Sequence, residues 1–523
     1  MNQETIVRDT LKELFDKKSI SESLYTKLCP RGSKLGVLYG LAKVHKPCVN
    51  GCPPFRPILS AINTPAYKLA KFLVPILAPL TVNEFTVKDS FSFAEEITKK
   101  DSQLYMASLD VDSLFTNIPL QKTIDICVEK LFENCELVHN LNKCDLRNLL
   151  TLATNQSYFT FDGILYQQVD GVAMGSPLGP SLANAFLSYH EKKWLEDCPA
   201  SFKPVYYRRY VDDVFVLFSS PEHLPLFQEY LNNKHLNISF TSECESNNSL
   251  PFLDVNAIRD GSTFSTSVYR KPTFSGVYTN FASFMPKEYK LGLIYTLIFR
   301  IFTIVSDFSR FHVEVQKLRT ILLKNGYPTC LIDSCVKSFL NKVYKVKEIV
   351  LTAERKEIFI VLPYLGNTSL QLRTRLEKAF RKYLPCCKFR VIFRTSIRLS
   401  NFFKFKDRPS KELRSLVVYK FLCGSCNATY YGETSRHLKV RACEHMGITP
   451  LLEKISKSKK TTAVKEHLRC CPHRASLDDF SIMTSAQSKF LLEIKESLLI
   501  HRDTPTLNKN VTSVPLYLFD KYN

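Results

Sequence analysis

Two adjacent aspartates, Asp212 and Asp213, stand between β-rich runs in PVYYRRYVDDVFVLF (residues 204–218), and a third, Asp110, follows the hydrophobic run Tyr105 to Leu109. The first stretch predicts a hairpin with acids at its tip, the second a strand that ends in a carboxylate. Like charges this close repel unless a cation lies between them, so the pattern points to a divalent-metal site, with a solvated acidic turn as the plain alternative. Two Mg²⁺ or Mn²⁺ ions about 4 Å apart, held by carboxylates and phosphate oxygens, activate a hydroxyl and stabilise a leaving pyrophosphate. On this reading Asp110 and Asp212 bridge the ions and Asp213 lies beside them.

Between the acids runs GVAMGSPLGPS (residues 171–181), a glycine- and proline-shaped loop before a helix. Its Gly175, Ser176 and Pro177 would let backbone approach a substrate closely. Upstream, Arg56 in PFRPI and Lys43 and Lys46 in YGLAKVHKP are cations suited to a triphosphate, or else ordinary surface charges.

A second constellation begins at Val417-Val418-Tyr419 and reaches Tyr430-Tyr431-Gly432, with Arg441 and His445 on an expected helix. Tyrosines on a short hairpin, a helical arginine and a later acid make a metal-assisted phosphodiesterase: tyrosine handles water, arginine steadies the phosphorane and the carboxylate holds a cation. The helix from Ser488 to Ile500 offers Glu493 and Glu496 as that acid. Cys423 and Cys426 have zinc-knuckle spacing, which His467 and His473 would complete; Cys470, Cys471 and His445 compete as ligands, and reduced free thiols are the alternative.

The chain that must position these groups has 523 residues, enough for two or three domains. At 45% hydrophobic and 12% aromatic its composition is globular. Lys and Arg exceed Asp and Glu by 71 to 50, and the resulting +21 favours nucleic acid as partner. The apolar runs at 68–82 and 291–305 are broken by Pro75, Pro79 and Arg300, so no membrane segment is expected. The charged amphipathic start lacks a secretory core; an intracellular, reducing setting follows, in which the 17 cysteines are thiols or metal ligands. Mixed strands and helices are expected to about residue 285, helix upon helix over 286–385, a basic connector over 386–415, a compact α/β domain over 416–510 and a tail over 511–523.

In order, FRPI, SLDVDSLF, GVAMGSPLGPSLAN, YVDD, LPFLDV and VYRKPTFSG resemble the successive motifs of reverse transcriptases, and YGLAKVHKP with VYRKPTFSGVYTNF is similar to the Penelope-like retroelement branch. Covering roughly residues 30 to 385, the resemblance implies an α+β right-hand polymerase of fingers, palm and helical thumb. In it Phe115 shuts out a ribose 2′-hydroxyl, Arg56 holds triphosphate, and Arg270, Lys271 and Pro272 lie near the primer end. The region beyond resembles a GIY-YIG endonuclease, which Penelope-like elements carry after the polymerase. That match selects Glu496 as the metal-binding acid, gives the chemistry to Tyr419, Tyr430 and Arg441, and sets His445 and Asn508, the family's late asparagine, at substrate. Val417-Val418 and Tyr431 depart from its motifs, and only about 38 residues precede Tyr39, fewer than such polymerases generally carry.

These readings combine into an element-encoded RNA-directed DNA polymerase acting on template RNA, primer and target DNA and deoxynucleoside triphosphates. It would use Mg²⁺ or Mn²⁺ with a structural Zn²⁺, act in the nucleus, and have the nuclease supply the primer 3′-hydroxyl. The rival is a decayed copy that only binds nucleic acid. Lys457 to Lys460 is too short to identify an import signal.

Overall fold

The computed structural model describes residues 2–44, 47–48, 50–155, 158–345, 356–395, 402, 409–449 and 461–508. Lys46, the Lys457 to Lys460 cluster and the 511–523 tail lie outside them. Helices α1 (Asn2–Asp16) and α2 (Glu22–Leu28) lead to a hairpin of β1 (Gly36–Ala42) and β2 (Phe55–Ser60), which sets Leu41 opposite Arg56. Next come α3 (Tyr67–Leu77), α4 (Ser90–Ile97), β3 (Tyr105–Val111), α5 (Leu114–Asn117), α6 (Leu120–Leu131) and α7 (Lys143–Thr154). Then β4 (Tyr158–Phe161) and β5 (Ile164–Gln167) extend the first sheet to the order β2-β1-β4-β5.

After α8 (Gly179–Glu196), the strands β6 (Tyr206–Tyr210) and β7 (Asp213–Phe218), helix α9 (His223–Asn232) and β8 (Phe240–Cys244) complete a central antiparallel sheet, ordered β6-β7-β3-β8. The apolar run of β7 is explained by burial on both faces. Val214, Val216 and Phe218 pack under α8 and α9 beside Phe186 and Phe227. Phe215 and Leu217 pack the other way, against Phe93 of α4 and Phe252. That second face is closed by the meander β9 (Ser249–Phe252), β10 (Val255–Asp260) and β11 (Thr263–Val268), and by helices α10 (Lys287–Ile304), α11 (Phe308–Lys324) and α12 (Thr329–Tyr344). No described helix is long and apolar enough to cross a membrane.

Where helix upon helix was expected to residue 385, the helical run stops at Tyr344. Strand β12 (Lys356–Pro363), helix α13 (Asn367–Tyr383) and strand β13 (Cys387–Arg394) form a β-α-β unit with its strands parallel, so the basic connector is in part a strand. Lys388, Arg390 and Arg394 alternate there with Phe389, Val391 and Phe393, and a charge run conceals a period of two. The last unit contains β14 (Val417–Leu422), β15 (Thr429–Thr434), α14 (Leu438–Met446), α15 (Ala463–Cys470), β16 (Phe480–Ser485) and α16 (Lys489–Asp503), with sheet order β15-β14-β16 and its own core.

The segment after α2 meets the last unit. Glu4 accepts the Gly32 and Ser33 amides at 3.3 and 2.9 Å, while the carbonyls of the same residues take the Ser415 hydroxyl at 2.8 Å and contact His437 Nε2 at 2.6 Å.

One buried ion pair lies beneath the central sheet's turn. Arg209 and Glu191, with side chains 1% and 3% exposed, meet through Nε–Oε1 at 2.8 Å and Nη2–Oε2 at 3.2 Å. The guanidinium also donates to Asn184, Ser188 and the Val211 carbonyl, and Asn83 donates to Glu191 at 2.7 Å. Removing one partner strands a buried charge, at about 3–5 kcal/mol. Glu191→Ala should therefore lower the urea midpoint by that amount of stability, whereas an unchanged midpoint would mean that the pair is already solvated.

Candidate active sites

Asp110 on β3 pairs in register with Asp213, the first residue of β7. The turn Val211–Asp212 closes β6 onto β7, and the Asp212 carbonyl accepts the Val111 amide at 3.1 Å, so all three acids gather at one end of two central strands. Val211 has φ 56°, a left-handed conformation that costs a β-branched residue about 1–3 kcal/mol unless its surroundings impose it. Arg209 imposes it from below through the Val211 carbonyl, at 3.1 Å.

Asp213 keeps solvent exposure, yet lost hydration, with the charges of Asp212 and Asp110 added, pushes its carboxyl up to about 6 against the pull of Lys271 and Arg56. That opposition places both cations within reach of the acids. Lys43 lies beside Arg56 at the same end of the hairpin, its amide on the Pro54 carbonyl at 2.8 Å. The Gly175 loop lies against β2: Leu59 donates to the Met174 carbonyl at 2.8 Å, and a Cβ on Gly175, at φ 124°, would fall 2.4 Å from the Leu59 carbonyl. Only glycine permits that approach, so Ser176 and Pro177 are held next to the strand of Arg56. Phe115, half-buried, bonds this segment through its carbonyl to the Val172 amide at 2.6 Å. Three carboxylates with no nitrogen or sulfur ligand suit hard cations such as Mg²⁺ or Mn²⁺.

In the last unit β14 and β15 set Tyr419 opposite Gly432 and Phe421 opposite Tyr430. Tyr419 is fully buried; its hydroxyl accepts from Arg441 Nε at 3.2 Å and lies 2.7 Å from His445 Nε2, whose Nδ1 is 2.8 Å from the Thr462 hydroxyl. Burial, then the Arg441 charge, pull His445 down to about 3, so it is neutral near pH 7 and shares a hydrogen bond with the Tyr419 hydroxyl. A Cβ on Gly432 would fall 2.5 Å from the Tyr419 hydroxyl, so glycine keeps this network in place. Tyr419, expected to do chemistry, and His445, expected at substrate, are both buried, which leaves half-buried Tyr430 and Arg441 as the members that a substrate can reach. Glu496 is pushed up to about 7 by burial and then by Glu433. Glu433, which sequence reasoning missed, has a buried Oε2 with no hydrogen-bond partner and is raised by burial, then by Glu493 against Lys489. Its only sequence signal is an acid facing Val418 across the hairpin.

Residues 44–241 match the family model described as Reverse transcriptase (RNA-dependent DNA polymerase), and residues 277–337 match the one described as Animal helix-turn-helix domain. No curated protein matches the chain. Among solved structures, the apo telomerase from Candida tropicalis truncated from its C-terminal domain is similar at 14% identity and TM-score 0.33, over 44% of this chain and 54% of that one. The chain thus spans about half the length of that relative, 54%. Telomerase from Candida albicans, in complex with a TWJ fragment of telomeric RNA, is similar at 11% identity and TM-score 0.38, over 65% and 68%. The Sicinivirus 3Dpol RNA-dependent RNA polymerase is similar at 13% and 0.39, over 61% and 71%. The chain carries a reverse-transcriptase domain.

Asp110, Asp212, Asp213, Arg56, Phe115 and the Gly175 loop all lie within the reverse-transcriptase domain, and Lys43 borders it. Lys271 lies beyond its matched range yet acts on Asp213. Neighbouring Arg270 does not join it: its Nη1 is 2.5 Å from Glu314 on α11, a buried acid that pairing alone makes tolerable. Asn508, expected at substrate, instead spends its amide on the Tyr431 backbone, accepting at 2.9 Å and donating at 2.8 Å.

The expected zinc set needs one correction. Cys423, Cys426, His467 and Cys471 bring their ligand atoms within 4.8 Å of one another, while His473 turns away to Asp479 at 2.9 Å. Cys471 follows directly after α15, which carries His467, and caps that helix with an extended backbone. The Cys423–Cys471 sulfur separation of 3.6 Å is near the about 3.8 Å that tetrahedral Zn–S bonds imply. Burial works against the Cys423 thiolate, but hydrogen bonds from His467 and the Cys426 amide bring it down to about 6.

Because Asp213 titrates near 6 folded and near 4 unfolded, its protonated form stabilises the fold below about 4, and that contribution is lost as pH rises through about 6. Without divalent metal, Asp213→Asn should raise the thermal midpoint at pH 8 and leave it unchanged at pH 4; equal shifts at both would remove the acid cluster as cause. Purified protein should carry zinc that Cys471→Ser sheds and His473→Ala retains, as read by metal analysis.

Proposed function

We propose that the chain is the RNA-directed DNA polymerase of a Penelope-like retroelement, and that its C-terminal unit is a GIY-YIG-type endonuclease that nicks DNA and supplies the primer 3′-hydroxyl. The observation that carries the polymerase reading is the register of Asp110 against Asp213 at the end of buried strands, with Asp212 in a turn held by Arg209. Asp110, Asp212 and Asp213 would hold two Mg²⁺ or Mn²⁺ ions, which supply activation of the primer hydroxyl and neutralise charge on the leaving pyrophosphate.

The protein's own groups do the rest. Arg56 and Lys43 bind the triphosphate of the incoming deoxynucleotide, and Lys271 adds a cation whose charge reaches Asp213. Phe115, wedged beside the Gly175 loop, stands where a ribose 2′-hydroxyl would press. In the nuclease Tyr430 orients the attacking water and Arg441 holds the phosphate. Buried Tyr419 and His445 position that arginine without touching substrate, and Glu496 supplies the carboxylate for a divalent cation. Cys423, Cys426, His467 and Cys471 would hold a structural Zn²⁺ at the hairpin's end. With RNA template, primer and target DNA as partners, action in the nucleus follows.

The polymerase is tested by primer extension on RNA with Mg²⁺ or Mn²⁺: synthesis should vanish in Asp212→Asn with Asp213→Asn. No synthesis by the unaltered chain, with RNA still bound, would favour a binding remnant. For the nuclease, Arg441→Ala should slow nicking of supercoiled DNA by about 10²-fold or more. Nicking at full rate would overturn the assignment.

A further inference from the structure

The unit formed by β12, α13 and β13 covers only one face of its two-stranded sheet. On that face Phe380 of α13 stacks on Phe389 of β13, centroids 3.8 Å apart and planes 5° apart. Alternation then turns Glu357, Phe359 and Val361 of β12, with Lys388, Arg390, Ile392 and Arg394 of β13, to the opposite side. A solvent face would normally be polar, yet Phe359 is 53% and Val361 46% exposed. The parallel register sets Phe359 beside Arg390, Val361 beside Ile392 and Pro363 beside Arg394.

Charge decides what such a face fits. Its one acid, Glu357, pairs with Lys388 at 2.8 Å and Arg390 at 3.2 Å, and Arg394 adds a third cation beside Pro363, so positive charge exceeds negative on the face that carries the exposed Phe359 ring. The unit is firmly seated: the Tyr289 hydroxyl donates to the Phe393 carbonyl at 2.6 Å, and Arg373 pairs with Glu288 at 2.7 Å.

We propose that the open face of the β12–β13 sheet binds single-stranded nucleic acid, a base stacking on Phe359 while backbone phosphates meet Lys388, Arg390 and Arg394. An unpaired base exposes the π-face that such a ring takes, whereas a duplex conceals it, and the cations match a polyanion. RNA and DNA share this chemistry. The site goes beyond the polymerase and nuclease readings, and none of its residues belongs to either acid cluster.

The test uses the full chain with oligonucleotides of about 20 nucleotides, one arm RNA and one DNA, carrying 5-iodouracil for photocrosslinking and fluorescein for anisotropy. Crosslinks should map to the peptide containing Phe359 and disappear in Phe359→Ala. Affinity should fall about 5- to 30-fold in that variant and recover in Phe359→Trp, which keeps a stacking ring. Lys388→Gln with Arg390→Gln should flatten the salt dependence by a slope of roughly 1.4. Loss in one arm alone names the strand that the face holds. Crosslinks confined to other segments with unchanged affinity would overturn the proposal, as would self-association in sedimentation that Phe359→Ala abolishes. An inactive polymerase would leave the crosslink result standing.

Discussion

The buried pair of Arg209 and Glu191 is the constraint on which the turn carrying Asp212 and Asp213 depends. An uncompensated charge at that depth would cost several kcal/mol, so every donor and acceptor of the pair must find a partner, and the partners lie on different elements. Asn184 and Ser188 come from α8, Asn83 from the segment before α4, and the Val211 carbonyl from the turn between β6 and β7. Satisfying one arginine therefore fixes the helix, the sheet and the acidic turn relative to one another. A turn with a β-branched residue at positive φ would relax if it were free; here the relaxed form would leave a guanidinium proton without an acceptor.

The same economy recurs at the second site. Tyr419 is buried, and its hydroxyl joins Arg441, His445 and, through the imidazole, Thr462. Neutral His445 bonds on both ring nitrogens, and the arginine is held by the Tyr419 hydroxyl and by Glu444 before any phosphate arrives. Both centres thus place accessible charge on top of a closed polar network. Acids that repel in the absence of a cation, Asp213 in one centre and Glu496 in the other, sit at the solvent edge of these networks.

Much of this was legible in the sequence because it rests on short-range pattern. The YVDD turn announces itself by two apolar runs around a pair of acids, and the Asp110 strand by its hydrophobic approach. What stayed hidden depends on contacts between segments far apart in the chain. Arg209 reads as one more cation in a basic stretch until α8 delivers Glu191. Arg270 and Lys271 are adjacent and alike, yet Glu314 claims the first and leaves the second by Asp213. Cys471 and His473 offer equivalent spacing, and Asp479 decides between them. The β12–β13 sheet escaped because its alternation is written in arginine and lysine, and its partner strands lie on either side of a helix.

The clasp between Ser33 and His437 spans 404 positions of sequence. Closing so long a loop carries a large entropic toll and is kinetically late, since nearby contacts form first. On a ribosome, Ser415 and His437 emerge only after the central sheet, its helices and the β12–β13 unit have been synthesised. The joint between the first helices and the last unit therefore rests on residues about 400 positions apart: a chain that stops before residue 415 lacks both partners of the Gly32 and Ser33 carbonyls.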